Sequence, residues 1–138
     1  MVPCAVSDHP GEQDLFVYGG ANAGRHSLLP INEGGKIRIT TVTLDEFWAE
    51  QKLGDRIPRF IKIDIEGMEM EALLGAASSI ERHRPQMLIE KIKSDEGEIS
   101  EFLIDAGYQL IPIGINILAI HQSDPVQAQL KFEHVETA

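Results

Sequence analysis

The sequence is short of cysteine, of clustered basic residues and of long apolar runs. Cys4 is the one cysteine in 138 residues. That excludes an internal disulfide and leaves a thiolate zinc site without ligands. It also fits a reducing compartment, so a cytoplasmic location is expected. Lys and Arg are scattered, and the net charge is -10. A nucleic-acid backbone is not the expected partner, because phosphate neutralisation needs clustered cations. No apolar run nears the roughly 20 residues of a membrane-spanning helix, so no membrane partner is expected. The opening Met1-Val2-Pro3-Cys4-Ala5-Val6 lacks the basic region of a signal peptide. There is no Gly-x-Ser-x-Gly elbow to present a serine nucleophile. The five histidines are dispersed, without metal-binding neighbours at helical spacing.

What is present fits one soluble α/β domain, spanning 1–123, with a loose polar tail over 124–138. Residues 1–7 read as a strand, and Asp8-His9-Pro10-Gly11 as a turn. Leu15 to Tyr18 is a short β-like run. Gly19 to Gly35 has loop composition. Lys36 to Val42 alternates as a strand does. Thr43-Leu44-Asp45-Glu46 is a capping box, in which the Thr hydroxyl and the Glu carboxylate each take an orphan amide. Gly54 suits the stop of that helix. Phe60 to Ile65 reads as a strand covered on both faces. Met70, Leu73, Leu74, Ala77 and Ile80 then predict one helix from Met68 to Arg82, ended by Pro85. Gln86 to Ile92 is a further strand whose apolar run ends at Glu90. Ser94 and Asp95 can cap a third helix, which Gly107 stops. Tyr108 to Ile113 and Ile117 to His121 are close enough in sequence to pair antiparallel. The expectation is a mostly parallel sheet with an antiparallel strand at its C-terminal end.

The chemistry concentrates at Asp64-Ile65-Glu66-Gly67, where the central strand gives way to a helix. Open α/β sheets bind ligands at such strand ends. Asp64 and Glu66 are two residues apart and face the same way if the strand continues. They could bind a cation, hold a cofactor's amine or act as a general base. Equally, Glu66 could answer a helix dipole and Asp64 could cap turn amides. Glu90, at the neighbouring strand end, shares this crevice unless Lys91 or Lys93 pairs with it. An Mg²⁺ site on Asp64, Glu66 and Glu90 would suit phosphoryl chemistry, but no phosphate-binding loop accompanies it. Gly20-Ala21-Asn22-Ala23-Gly24 imitates a cofactor loop, yet Pro30 cuts off the helix that such a loop requires.

Several blocks resemble the FkbM-type S-adenosylmethionine-dependent methyltransferases, in order. They are Ala5-Val6-Ser7-Asp8 with Gly11, Asn22 to Leu28, and Val42-Thr43-Leu44-Asp45-Glu46-Phe47. Ile61 to Glu69 with Leu74-Gly75-Ala76 follows and is the most specific. Pro85 to Glu90, and Gly107-Tyr108 with Asn116-Ile117-Leu118-Ala119, complete the set. The resemblance is to the C-terminal two-thirds of the family pattern. The family's Gly-x-Asn-x-Gly loop and its ribose-binding acidic residue precede the matching blocks, so a truncated class I, Rossmann-like methyltransferase domain is expected. The resemblance implies S-adenosylmethionine as cofactor, with Ala5, Val6 and Ser7 near the adenine. Asp64 and Glu66 would lie at the strand end near the transferred methyl, with Asp64 the first choice to accept the hydroxyl proton. With Glu90, which shares the crevice by position, they are the candidate catalytic carboxylates. O-methylation of a small-molecule or sugar hydroxyl is the implied reaction. The alternative is a non-catalytic remnant serving as a binding or assembly module. Missing strands would leave an exposed sheet edge open to self-association.

Overall fold

The computed structural model describes residues 4–17, 28, 35–51 and 56–130. Strands β1 (Cys4–Val6), β2 (Gly11–Val17) and β3 (Gly35–Val42) come first, followed by helix α1 (Leu44–Glu50). Then come β4 (Phe60–Ile63), α2 (Glu69–Leu74), α3 (Ala77–His83) and β5 (Gln86–Glu90). Helix α4 (Glu96–Asp105), β6 (Tyr108–Ile113) and β7 (Asn116–His121) complete the main elements.

The strands form two sheets, with orders β1-β3-β2 and β4-β5-β7-β6. β1 runs parallel to β3, whereas β2 and β3 are an antiparallel pair. β4 and β5 are parallel, and β7 is antiparallel to both of its neighbours. The expected antiparallel strand is therefore present, inserted between β5 and β6. The expected mostly parallel sheet is not: the arrangement is mixed. Two short connections cause this, because a connection of a few residues reverses the chain, whereas a parallel return takes roughly a dozen residues or more. Pro10-Gly11 feeds β2 and Gly114-Ile115 separates β6 from β7, and neither connection includes a helix.

The core lies against one face of the four-stranded sheet. Leu73, Ile80, Met87, Ile89, Ile99, Leu103 and Ala119 form one buried cluster with Ile63 and Tyr108. The β4 strand is covered on one side, not two. Ile63 is buried and Ile61 half-buried, while Phe60 and Lys62 are exposed. Alternation thus overrides the apolar run, as expected for a strand with one face packed.

The single helix predicted from Met68 to Arg82 is broken into α2 and α3 at Gly75-Ala76. A Cβ at Gly75 would lie 2.2 Å from the Ser7 carbonyl oxygen. The break thus marks the point where the end of β1 presses on the helical layer. Arg84 adopts a left-handed conformation after α3, just before Pro85. Thr43 caps α1 as expected, its Oγ1 accepting from Glu46 N at 3.1 Å. Glu46 departs from the box: its carboxylate accepts from the Thr43 hydroxyl instead of an amide.

Asp95 caps α4 by accepting from Gly97 N and Glu98 N. Beyond Ser123 the chain does not turn loose at once. A 3-10 turn spans Pro125–Gln129 and is capped by Asp124. Gln127 Nε2 ties it to the Ile120 carbonyl at 3.1 Å. Gly54 and the Gly20 to Gly24 stretch lie outside the described residues, but the latter's place in the chain is clear. It falls between Val17 and Gly35, which are register partners of two antiparallel strands.

Candidate active site

Three carboxylates meet where β4 and β5 end. Parallel pairing in register, Ile63 beside Ile89, brings the next residues of each strand to one edge. Asp64 and Glu90 stand within hydrogen-bonding reach of each other there. Their proton affinities move apart. The hydrogen bond from Glu90, with help from Lys62, holds the Asp64 carboxyl below its ordinary range. Lys62 Nζ lies 3.0 Å from Asp64 Oδ2. Glu90 moves the other way, raised by its bond to Asp64, by burial, and by the negative charges of Asp64, Glu66 and Glu69.

Glu66 does not face the same way as Asp64 along a continuing strand. The chain has already left β4, and Glu66 has φ +60°. Gly67 follows at φ +104°, the positive angle that favours glycine there. The Glu66 carboxylate pairs with Lys93. Lys91 pairs with Glu96 at 2.8 Å. Neither lysine is the main partner of Glu90, and Asp64 does not cap the turn amides.

That capping falls to Glu69, which sequence reasoning missed. Its Oε1 accepts from Ile65 N at 3.0 Å, and its Oε2 accepts from Gly67 N at 3.0 Å. Oε2 also accepts from the Ser94 hydroxyl. The available signal was its place, two residues past a turn glycine and at the first position of a helix. A pocket of about 150 Å³ lies among Glu66, Glu69, Glu90, Ile92 and Lys93. Whole-ligand sites measure about 300 Å³ or more, so this one admits a single polar end of a molecule.

Ala5, Val6 and Ser7 are not brought to this pocket. They lie in β1 and just past it, alongside Thr41 and Val42 of β3. Ser7 is fully buried and its polar groups are committed: N–H to the Val42 carbonyl at 2.9 Å, Oγ to Asp8 at 3.0 Å. Its carbonyl meets Gly75, which caps the C-terminal end of α2, whereas Glu69 opens that helix. Roughly 9 Å of helix separates the two ends.

The match to known proteins is to a methyltransferase domain. The family model described as the methyltransferase FkbM domain matches residues 1–110. The chain belongs to the FkbM methyltransferase family. Among solved structures it is similar to the methyltransferase FkbM from Methylobacillus flagellatus KT, at 21% identity and a TM-score of 0.54. That match covers 86% of this chain and 27% of the other, so this FkbM chain spans about a quarter of its structural relative. Nothing among curated proteins matches. The structural likeness supports a methyltransferase-like α/β fold. Among the described residues, no helix is long and apolar enough to cross a membrane.

Proposed function

We propose that this FkbM domain contributes the acceptor side of an S-adenosylmethionine-dependent O-methyltransferase acting on a small-molecule or sugar hydroxyl. The observation that carries the reading is the Asp64–Glu90 pair at adjacent parallel strand ends, one carboxyl depressed and one raised. Its negative charge suits a sulfonium cofactor, and the pocket beside it admits a hydroxyl-bearing group. Asp64, Glu66 and Glu90 fit the methyl-bearing end of the cofactor. Ala5 and Val6 remain the proposed adenine neighbours, at the other end of α2, while the polar groups of Ser7 are already satisfied.

When bound, the cofactor supplies an electrophilic methyl group on a positively charged sulfur. The chain's own residues then have two tasks. Asp64, ionised at neutral pH, accepts a hydrogen bond from the acceptor hydroxyl and orients it. The pair takes up the proton, and Glu90, with the higher proton affinity, retains it. Glu66, fixed by Lys93, closes one wall.

Isothermal titration with S-adenosylhomocysteine tests cofactor binding. Saturable heat is the expected result, and no heat at millimolar ligand overturns binding by this chain. Asp64→Asn and Glu90→Gln are each expected to lower methyl transfer about 10²–10⁴-fold, the range of general-base contributions.

A second reading, an assembly module, is favoured by the outer edge of β4. Among the described residues β4 pairs with β5 alone, and Phe60, its first residue, is 53% exposed. Unpaired edges recruit further strands. Mass that rises with concentration in sedimentation supports self-association there, and a monomer throughout overturns it.

A further inference from the structure

Glu69 is in an unusual place for a helix-opening carboxylate. Such groups ordinarily stay in water, where the helix dipole favours them. Glu69 is only 2% exposed. Burying a carboxylate costs several kcal/mol unless hydrogen bonds replace its water. Here they do, and all three donors are chain neighbours of Glu66 and Lys93, which line the carboxylate pocket. The Ile65 and Gly67 amides lie on either side of Glu66. The Ser94 hydroxyl comes from the connection between β5 and α4.

The two amides flank a strained residue. A left-handed conformation costs a residue other than glycine roughly 1–2 kcal/mol, and Glu66 adopts one. Glu69 therefore holds the backbone of Glu66 from both sides, while Lys93 holds its side chain. Ser94 follows Lys93 directly, so one buried carboxylate braces both grips. The amides that Glu69 holds belong to the turn, before α2 begins.

We propose that Glu69 is a positioning residue, a buried clamp that locks the β4 turn to the β5–α4 connection and thereby sets the placement of Asp64, Glu66 and Glu90. Its bearing on catalysis rests on the methyl-transfer reading above. Its control of the carboxylate geometry does not.

Glu69→Gln tests this with little change of shape. One oxygen remains, and in the place of Oε1 it keeps Ile65 N and only the longer contact from Gly67 N, 3.3 Å. The amide nitrogen cannot accept from Gly67 at the Oε2 position. Hydrogen exchange at the Ile65 and Gly67 amides is expected to rise roughly tenfold, the factor equivalent to about 1.4 kcal/mol. Exchange within twofold of the unmodified chain overturns the clamp. Ser94→Ala is the second variant. It keeps the buried charge and releases only the β5–α4 connection, so faster Lys93 and Ser94 backbone exchange is expected, and unchanged exchange counts against the proposal.

Carboxyl titrations by NMR separate positioning from simple loss of charge. Glu90 faces Asp64 from the end of β4, Glu66 from the turn and Glu69 from α2, and Lys93 lines the same pocket. Asp64 faces Glu90 and Lys62. Removing the Glu69 charge alone lowers the pKa of both Asp64 and Glu90. Loss of their alignment moves them in opposite directions, Asp64 up and Glu90 down, and that is the expected result in Glu69→Gln. A parallel downward shift, or none, overturns the proposal.

In the activity arm, Glu69→Gln is expected to lower kcat about tenfold, a loss of about 1.4 kcal/mol, with the cofactor KM unchanged. An unchanged kcat overturns positioning. If the unmodified chain transfers no methyl group, the methyl-transfer reading fails, and exchange and titration still decide the role of Glu69.

Discussion

The two sheets are held together by different physics. The four-stranded sheet carries the apolar core, with Leu73, Met87, Ile89, Ile99, Leu103 and Ala119 fully buried. In the three-stranded sheet no strand residue of apolar type is fully buried, and the buried residues at its end are the polar Ser7, Thr41 and Thr43. Its hairpin face is laced by exposed pairs, Lys36 with Asp14 at 2.8 Å and Arg38 with Asp14 at 3.4 Å. Exposed pairs contribute little, whereas buried side chains contribute a great deal. The first sheet therefore depends on the second, through the junction where Ser7 meets Gly75 and Asp45 reaches α3. The candidate site sits on the half with its own core.

Leu103→Ala should give the largest effect, because it empties the shared core. A loss of about 2–5 kcal/mol is expected, read as a lower denaturation midpoint for both sheets together. If the three-stranded sheet survived that loss, its dependence on the second would be broken.

Gly75→Ala should come next and act on the junction. Gly75 has φ -69°, which alanine adopts freely, and alanine favours helix. Any loss therefore reports the collision with the Ser7 backbone, at about 1–3 kcal/mol. Amide exchange should quicken in β1 and β3 more than in β5. A stabilised variant would show that the junction has room to spare.

Asp45→Asn weakens the same junction from the other side. The Asp45 carboxylate accepts from Ser78 N at 2.9 Å and Ser79 N at 2.8 Å. Burial pushes its carboxyl up, but hydrogen bonds from Ser79 and Ser78 outweigh that and leave it below its ordinary 3.8. A depressed carboxyl stabilises the fold fully above the unfolded value, and the contribution is lost as pH falls through the folded one. Asp45→Asn should cost about 1–2 kcal/mol at pH 7, and the difference from the unmodified chain should shrink below pH 4. Equal differences at pH 7 and pH 3 would assign the loss to packing instead of charge.

Asp14→Asn should do least. Both of its cationic partners are mostly exposed, so the smallest loss of the series is expected, diminishing in salt. A larger, salt-insensitive loss would show that the hairpin has more internal stability than its burial implies.

Local signals were legible where one residue type answers one local need. Thr43 and Asp95 cap helices, Pro85 follows a helix end, and Gly114 lies in a tight turn, all as composition indicates. Strand identity at β3, β4 and β5 was also legible from apolar periodicity. Long-range packing was not. Nothing local to Gly75 says that Ser7 will press upon it, so the helix from Met68 read as continuous. The antiparallel pairing of β2 with β3 was equally hidden, because register depends on which faces become buried. At the site, Asp64, Glu66 and Glu90 stood out as strand-end carboxylates. Glu69 did not, since in sequence it looks like an ordinary first-turn acid.

The sequence by itself determined the alternation of strands and helices, the acidic strand ends and the family they mark. Those follow from periodicity, capping chemistry and residue order, which act over a few positions. Tertiary structure alone decided that the strands divide into two mixed sheets. It also decided that Asp64 and Glu90 meet, with proton affinities moved apart, and that Glu69 is buried behind the turn. These depend on which distant segments meet, and proton affinity and burial are set by neighbours in space, not in the chain.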